Sequence, residues 1–283
     1  CGNCWVWLAE PSPPLLELVE NGVYDRLSIQ YLNSCKTDKY ACCGDFLTDF
    51  SDWYTNREIM IPWENTNASY ADGSSNCASG GSSLSCSSIS TLPNYPLSNI
   101  SVETIFTNTE QAEAVANIKN ILNQNRGVWW AFWWPDNSGR QNFHNFWNNY
   151  DETSLWYDLD NYCGQSWNDN EGGGHAVLIV GYNDDDPDPT NHYWIVLNSW
   201  GTSNGGRPKG LFRIPMYFDY GCQYDAGTIN YSAFMFQTLD INFSSDDVED
   251  PTVTVNDPNG GETWHAGTTH SILWSASDNV GVT

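Results

Sequence analysis

The sequence predicts an α+β fold of two lobes, one mainly helical and one mainly stranded, followed by part of a β-sandwich. Three observations predict it. Helical apolar spacing is concentrated before residue 123, β-type runs dominate from Val128 to Thr238, and an alternating, turn-rich texture sets in after Leu239.

Taken in order, Trp5, Val6, Trp7, Leu8 and Ala9 are apolar almost all round, as in a buried helix start, with Cys4 in the first turn. Pro11, Pro13 and Pro14 interrupt that helix before residues 15–19 resume the apolar pattern, so a kink or break is expected. Residues 29–32 predict a short helical piece ahead of Cys35, and residues 46–54 a second helix. Residues 71–90 are rich in Ser and Gly and carry Cys77 and Cys86, which predicts a long loop pinned by disulfides. Ala114, Ile118, Ile121 and Leu122 recur at helical spacing over residues 110–123, and Gly127 stops that helix. Residues 128–134 predict a strand apolar on both faces, and residues 176–182, 193–197, 211–214 and 233–238 predict further strands. The acidic run 183–188 reads as a solvated hairpin tip rather than a calcium loop, because Pro187 and Pro189 break the ligand spacing.

These elements divide the chain into a domain at 1–240, an acidic linker at 241–250 and a partial β-sandwich at 251–283. In the last segment residues 252–255 alternate, 258–261 form a turn and 270–274 alternate again. Pro258-Asn259-Gly260-Gly261-Glu262 followed by Trp264 resembles the start of immunoglobulin-like repeats in prokaryotic surface and secreted proteins, which implies attachment to a cell surface.

Composition narrows the function classes. With 10 Lys and Arg against 35 Asp and Glu, the net charge is −25, which repels nucleic acid and anionic membrane surfaces. Hydrophobic residues at 40% and aromatics at 14% exclude a disordered acidic tail. No stretch reaches the roughly 18 to 20 apolar residues of a membrane helix, so membrane insertion is not expected. The sequence opens at Cys1 without a signal segment and reads as a processed or trimmed fragment. Nine Cys suggest an oxidising, extracellular setting, secreted or at the cell surface, and the odd count leaves one thiol free if the other eight pair. No residue pattern calls for a metal or other cofactor.

Three separated segments carry chemistry. Cys1-Gly2-Asn3-Cys4-Trp5 puts a thiol at a helix N-terminus, where thiolate is favoured. Gly172-Gly173-Gly174-His175-Ala176-Val177 puts an imidazole at the start of a β run, behind glycines expected to be flexible enough for a substrate backbone to approach. Asn198-Ser199-Trp200-Gly201 ends a strand with an amide able to orient that imidazole and an indole able to shield the bond. His144, His192, His265 and His270 have no such context and read as non-catalytic. Trp129, Trp130, Trp133 and Trp134 read as core and cleft wall rather than a carbohydrate platform.

In these motifs the chain resembles the papain-like cysteine peptidases, whose Cys-Gly-Ser-Cys-Trp, His-Ala-Val and Asn-Ser-Trp-Gly patterns occur in this order. The segments Leu27-Ser28-Ile29-Gln30 and Gly210-Leu211-Phe212-Arg213-Ile214 are similar to two further family patterns. The resemblance implies a papain-like fold with a helical left lobe and a β-barrel-like right lobe, and hydrolysis of peptide bonds in proteins and peptides through a thioester. Cys4 becomes the nucleophile, His175 the general base and acid, and Asn198 the orienting amide, with Trp200 and Trp5 in support. Gly44, Asp45, Ala131 and Gly174 become substrate-binding.

Departures from the family pattern are specific. Asn3 replaces a Ser or Ala, with little effect expected. Cys42-Cys43-Gly44-Asp45 replaces Cys-x-Gly-Gly, where Asp45 would narrow the cleft or favour a basic substrate group. The interval from Cys4 to His175 is 171 residues against the family's roughly 130–150, largely through the Ser/Gly-rich loop. The family's second oxyanion donor is a Gln six residues before the nucleophile; the sequence starts three residues before Cys4 and does not include that position, and loss of such a donor costs about 10²–10³ in rate. The resemblance also implies disulfides Cys1–Cys42 and Cys163–Cys222, with Cys35 joined to Cys77 or Cys86 and Cys43 to the remaining partner.

Two rival functions follow from the same residues. One is a non-catalytic peptide-binding or adhesive module on the same fold. The other is a thiol–disulfide oxidoreductase using Cys1 and Cys4 as a Cys-x-x-Cys pair, although the Trp follows the pair instead of preceding it.

Overall fold

The computed structural model describes residues 1–9, 22–202, 206–244, 252–265 and 267–277. Its helices are α1 (Cys4–Trp7), α2 (Ile29–Cys35), α3 (Leu47–Thr55), α4 (Gln111–Leu122) and α5 (Asn137–Asn149). Its strands are β1 (Ile59–Met60), β2 (Tyr95–Thr104), β3 (Val128–Trp134), β4 (Gly173–Asn183), β5 (Tyr193–Leu197), β6 (Leu211–Pro215), β7 (Gln223–Asp225), β8 (Asn230–Ser232), β9 (Phe234–Phe243), β10 (Thr252–Asp257) and β11 (Leu273–Ser277). The expected kink at Pro11–Pro14 and the resumed pattern at 15–19 lie outside the described residues, as does most of the expected linker.

A seven-stranded antiparallel sheet in the order β1-β2-β9-β3-β4-β5-β6 organises the molecule. Its named strands run from β1 to β6, and Leu155 adds a parallel bridge to Arg213 on β6. Strand β3 lies inside it, between β9 and β4, which is why its sequence is apolar at every position. Each buried Trp on it removes a large apolar area from water. Strand β9 continues to Phe243 and pairs with β2 through Asn242 and Phe243, so residues 241–243 belong to the sheet rather than to a linker.

Local chemistry explains the helices. Ser28 Oγ accepts from Tyr31 N–H at 3.0 Å at the start of α2. The Asp49 carboxylate accepts from Phe46 N–H at 3.2 Å at the start of α3, which buries Leu47, Phe50, Ser51 and Tyr54. Helix α5 is an element the sequence reading passed over. Asp136 caps it through the amides of Ser138 and Gly139, and Gly139, Phe143, Phe146 and Trp147 face the core. At its other end the buried Arg207 guanidinium donates to the carbonyls of Phe146 and Trp147 at 3.2 and 3.1 Å.

The long loop is pinned as expected, though by a definite pairing. Disulfides join Cys1–Cys42, Cys35–Cys86, Cys43–Cys77 and Cys163–Cys222. Of the two partners open to Cys35 the structure uses Cys86, and Cys77 goes to Cys43. The loop also closes over a buried carboxylate. Asp72 accepts from Gln30 Nε2, Asn33 Nδ2, Ser83 N–H and Ser83 Oγ at 2.7–3.2 Å. Beyond the main sheet, β10 and β11 pair antiparallel, the second starting three residues later than the alternation at 270–274 suggests.

Candidate active site

The register of β3 against β4 aligns Phe132 with His175, Ala131 with Ala176, Trp133 with Gly174 and Trp134 with Gly173. His175 therefore sits inside a strand, not at its mouth. The glycines before it have a different reason from the expected flexibility. A Cβ on Gly172, Gly173 or Gly174 would stand 2.5, 2.9 or 2.6 Å from the indole of Trp167, Trp134 or Trp133, so these positions are small because tryptophans pack on them.

Cys4 is the single free cysteine among the described residues. Its Sγ accepts from the Ala176 N–H at 3.5 Å, one residue past His175. Gly2 fixes the approach of this segment: its N–H donates to Cys42 O at 3.1 Å, and a Cβ there would meet that oxygen at 2.7 Å. Asn3, expected to matter little, is buried and donates to Asn33 Oδ1 at 3.1 Å, and Asn33 in turn donates to Asp72. Trp5 is buried beneath, its indole N–H donating to Ala41 O at 2.9 Å.

Asn198 follows β5 and is buried. Its Oδ1 accepts from Ser199 N–H at 2.8 Å, which identifies that atom as the amide oxygen, and it lies 2.8 Å from His175 Nε2. An oxygen acceptor makes Nε2 the protonated nitrogen and leaves Nδ1 as the ring's free lone pair. Trp200 packs on the imidazole at 4.7 Å between ring centroids, and Phe132, Trp134 and Phe143 complete the surround.

Burial governs the proton affinities. It holds His175 down to about 4 against the pull of the Asn198 hydrogen bond, with a small further push from His144. It also pushes the Cys4 thiol up, opposed by the backbone N–H groups of Ala176, Trp5 and Cys4. Each charge alone is disfavoured, whereas moving one proton from thiol to imidazole creates both charges together with no net charge.

Two cavities meet at this pair. The first, of about 450 Å³, is lined by Trp5, Lys39, Cys42, Cys43, Gly44, Asp45, Phe46, Cys77, Trp129, Ala131, Trp133 and Ala176 besides the shared residues. It contains the four expected substrate-binding residues. Asp45, however, brings no free charge: its side chain is 9% exposed and pairs with Lys36 at 3.4 Å and Lys39 at 3.2 Å. The second, of about 360 Å³, is lined by Cys1, Asn3, Trp7, Tyr70, Gly73, Trp134, His144, Ser199 and Trp200. Both include Gly2, Cys4, Gly174 and His175. Sequence reading placed Trp133 in the cleft wall, where it lies, but missed the wall contributed by Cys77 and Phe46 and the place of His144. A signal for the last existed in the Asp136 cap and the 139/143/146/147 spacing of α5. Among the described residues no group of three or more His, Cys, Asp and Glu is placed to hold a metal ion.

Comparison with known proteins bears on the fold. The model of the papain family cysteine proteases matches residues 147–230, a segment that includes His175 and Asn198. SERA5E of Plasmodium falciparum matches with a TM-score of 0.53 at 18% identity, over 86% of this chain and 87% of that one. The fold is papain-like. The ragweed Amb a 11 cysteine protease proform matches with a TM-score of 0.53 at 19% identity, over 86% of this chain and 60% of that one. A cysteine protease of Carica candamarcensis, in complex with E-64, matches at 21% identity over 85% and 88% of the two chains with a TM-score of 0.48. No curated protein sequence matches the chain.

The papain-like architecture carries four disulfides, which are consistent with an oxidising compartment. Among the described residues no helix is long and apolar enough to cross a membrane. Cys1 bonds to Cys42 and not to Cys4, so the Cys-x-x-Cys pair that a redox function needs is not formed.

Proposed function

We propose that the chain is a secreted or surface-attached cysteine peptidase that hydrolyses peptide bonds in proteins. The observation that carries this reading is the single free thiol, hydrogen-bonded beside an imidazole whose far nitrogen is held by a buried amide oxygen.

Cys4 passes its thiol proton to His175 Nδ1 as Sγ attacks the substrate carbonyl carbon. The oxyanion takes a hydrogen bond from the Cys4 N–H, one of the donors a helix start leaves unused. His175 then gives the proton to the leaving amine as the C–N bond breaks, leaving a thioester on Cys4. Water loses a proton to His175 and attacks the thioester, and the released sulfur recovers that proton. Asn198 keeps Nε2 protonated and the ring in plane throughout, and Trp200 keeps water from that bond. Gly44, Ala131 and Gly174 line the first cavity, where the acyl half of the substrate lies. The β10–β11 pair is read as the opening of an immunoglobulin-like module for cell-surface attachment.

An epoxysuccinyl thiol probe, with the adduct located by peptide mass mapping, tests the reading. Labelling of Cys4 in the wild type and its loss in His175→Ala is expected. No labelling of the folded wild type, together with retained affinity for peptides, would identify a binding module instead.

A further inference from the structure

The second cavity contains a feature the proposed chemistry does not use. His144, on α5, stacks on Trp200 with ring centroids 4.5 Å apart and planes 20° apart, and it lines the cavity together with Cys4 and His175. The residue is exposed although Trp200 covers one face of its ring, and its ring nitrogens have no hydrogen-bond partner among the described residues. Among the described residues no carboxylate lines this cavity. The chain has 35 Asp and Glu, yet the thirteen residues of α5 include none and do include Arg140, one helical turn before His144.

If the acyl half of a substrate lies along Cys42–Asp45, the leaving half enters the cavity of His144. We infer that His144 is a specificity-determining residue that favours substrates with a carboxylate just beyond the scissile bond. The inference rests on the peptidase reading. The carboxylate is either an acidic side chain or the substrate's own C-terminus, since both present the same oxygens to an imidazolium.

Among the described residues, the titratable and charged side chains that line this cavity or act on His144 are Arg140 on its own helix, His175 on β4, Cys4 on α1 and Tyr70 just before the 71–90 loop. None is a carboxylate. Partial burial and the Arg140 charge hold its proton affinity below the ordinary imidazole value, and a bound carboxylate would oppose both. Selectivity for the acidic substrate is therefore expected to grow as pH falls.

The test starts from a sequence the protein cleaves, synthesised in two matched pairs. One pair has Glu or Gln after the scissile bond with an amidated end. The other ends two residues beyond the bond as free acid or amide. At about pH 5 the carboxylate member of at least one pair is expected to gain roughly three- to fivefold in kcat/KM, the gain vanishing near pH 7.5 and in His144→Gln. Which pair responds identifies the source of the carboxylate. Equal rates in both pairs, or a gain that survives in His144→Gln, overturn the inference. A second measurement needs no turnover. In Cys4→Ala, the His144 ring-proton titration followed by NMR should move upward with the Glu peptide and not with the Gln peptide. An unmoved titration overturns the carboxylate site even if hydrolysis proceeds. A moved titration without hydrolysis by the wild type overturns the peptidase reading and leaves the site standing.

Discussion

The two sides of the candidate site are held by different forces. On the thiol's side the fixings are covalent and polar: the Cys1–Cys42 disulfide, the Gly2 N–H on Cys42 O, and the buried chain from Asn3 through Asn33 to Asp72. On the imidazole's side they are aromatic: Phe132, Trp134, Phe143 and Trp200 enclose a ring that makes one hydrogen bond, to Asn198. The thiol's position thus depends on bonds that reduction or a changed buried charge can remove. The imidazole's depends on burial, and the same burial sets its proton affinity.

The comparison breaks most severely where the sides meet. His175→Ala should lower kcat by about four orders of magnitude or more, measured on any cleaved peptide, because thiol and imidazole act as one unit. On the covalent side alone, Cys42→Ser should cost about 2–5 kcal/mol in urea unfolding under non-reducing conditions, with the loss centred on the segment before α1.

On the aromatic side alone, stability should follow the proton. The folded-state value of His175 is about 4, below the ordinary imidazole value, so the unfolded chain binds more protons between the two. Its contribution is complete above the ordinary value and is lost as pH falls through that window, by about 3 kcal/mol in all. His175→Gln should flatten that part of the stability-against-pH curve. Asp72→Asn should cost about 1–3 kcal/mol, because the four donors around the carboxylate include an N–H and amide groups that an added NH₂ cannot satisfy. Circular dichroism melts would show the loss, and a fall in kcat larger than that of Trp200→Phe would sharpen the contrast between polar and aromatic support.

How much of this was legible in the sequence divides along the same line. Cys4, His175 and Asn198 stood out because each belongs to a short contiguous motif, and β3 because a strand buried on both faces is apolar at every position. Helix α5 was not legible as a run, since seven of its thirteen residues are Asn, Ser or Gln, exposed or half-buried, and its apolar face is narrow. Strand β2 mixes exposed polar residues with a Pro and buries mainly Ile100, so it shows no alternation strong enough to read. Gln30 and Asn33 lie on α2 and Asp72 in the later Ser-rich loop, and nothing local reveals that this loop will bring its carboxylate onto that helix. The choice of Cys86 over Cys77 for Cys35 likewise depends on how that loop folds.

The most direct test of the central claim compares the wild type with Cys4→Ala for cleavage of a denatured protein substrate, with thermal unfolding run alongside. The account predicts cleavage by the wild type, its loss in Cys4→Ala, and melting temperatures within a few degrees of each other, because Cys4 forms no disulfide. Equal cleavage by both proteins would contradict it.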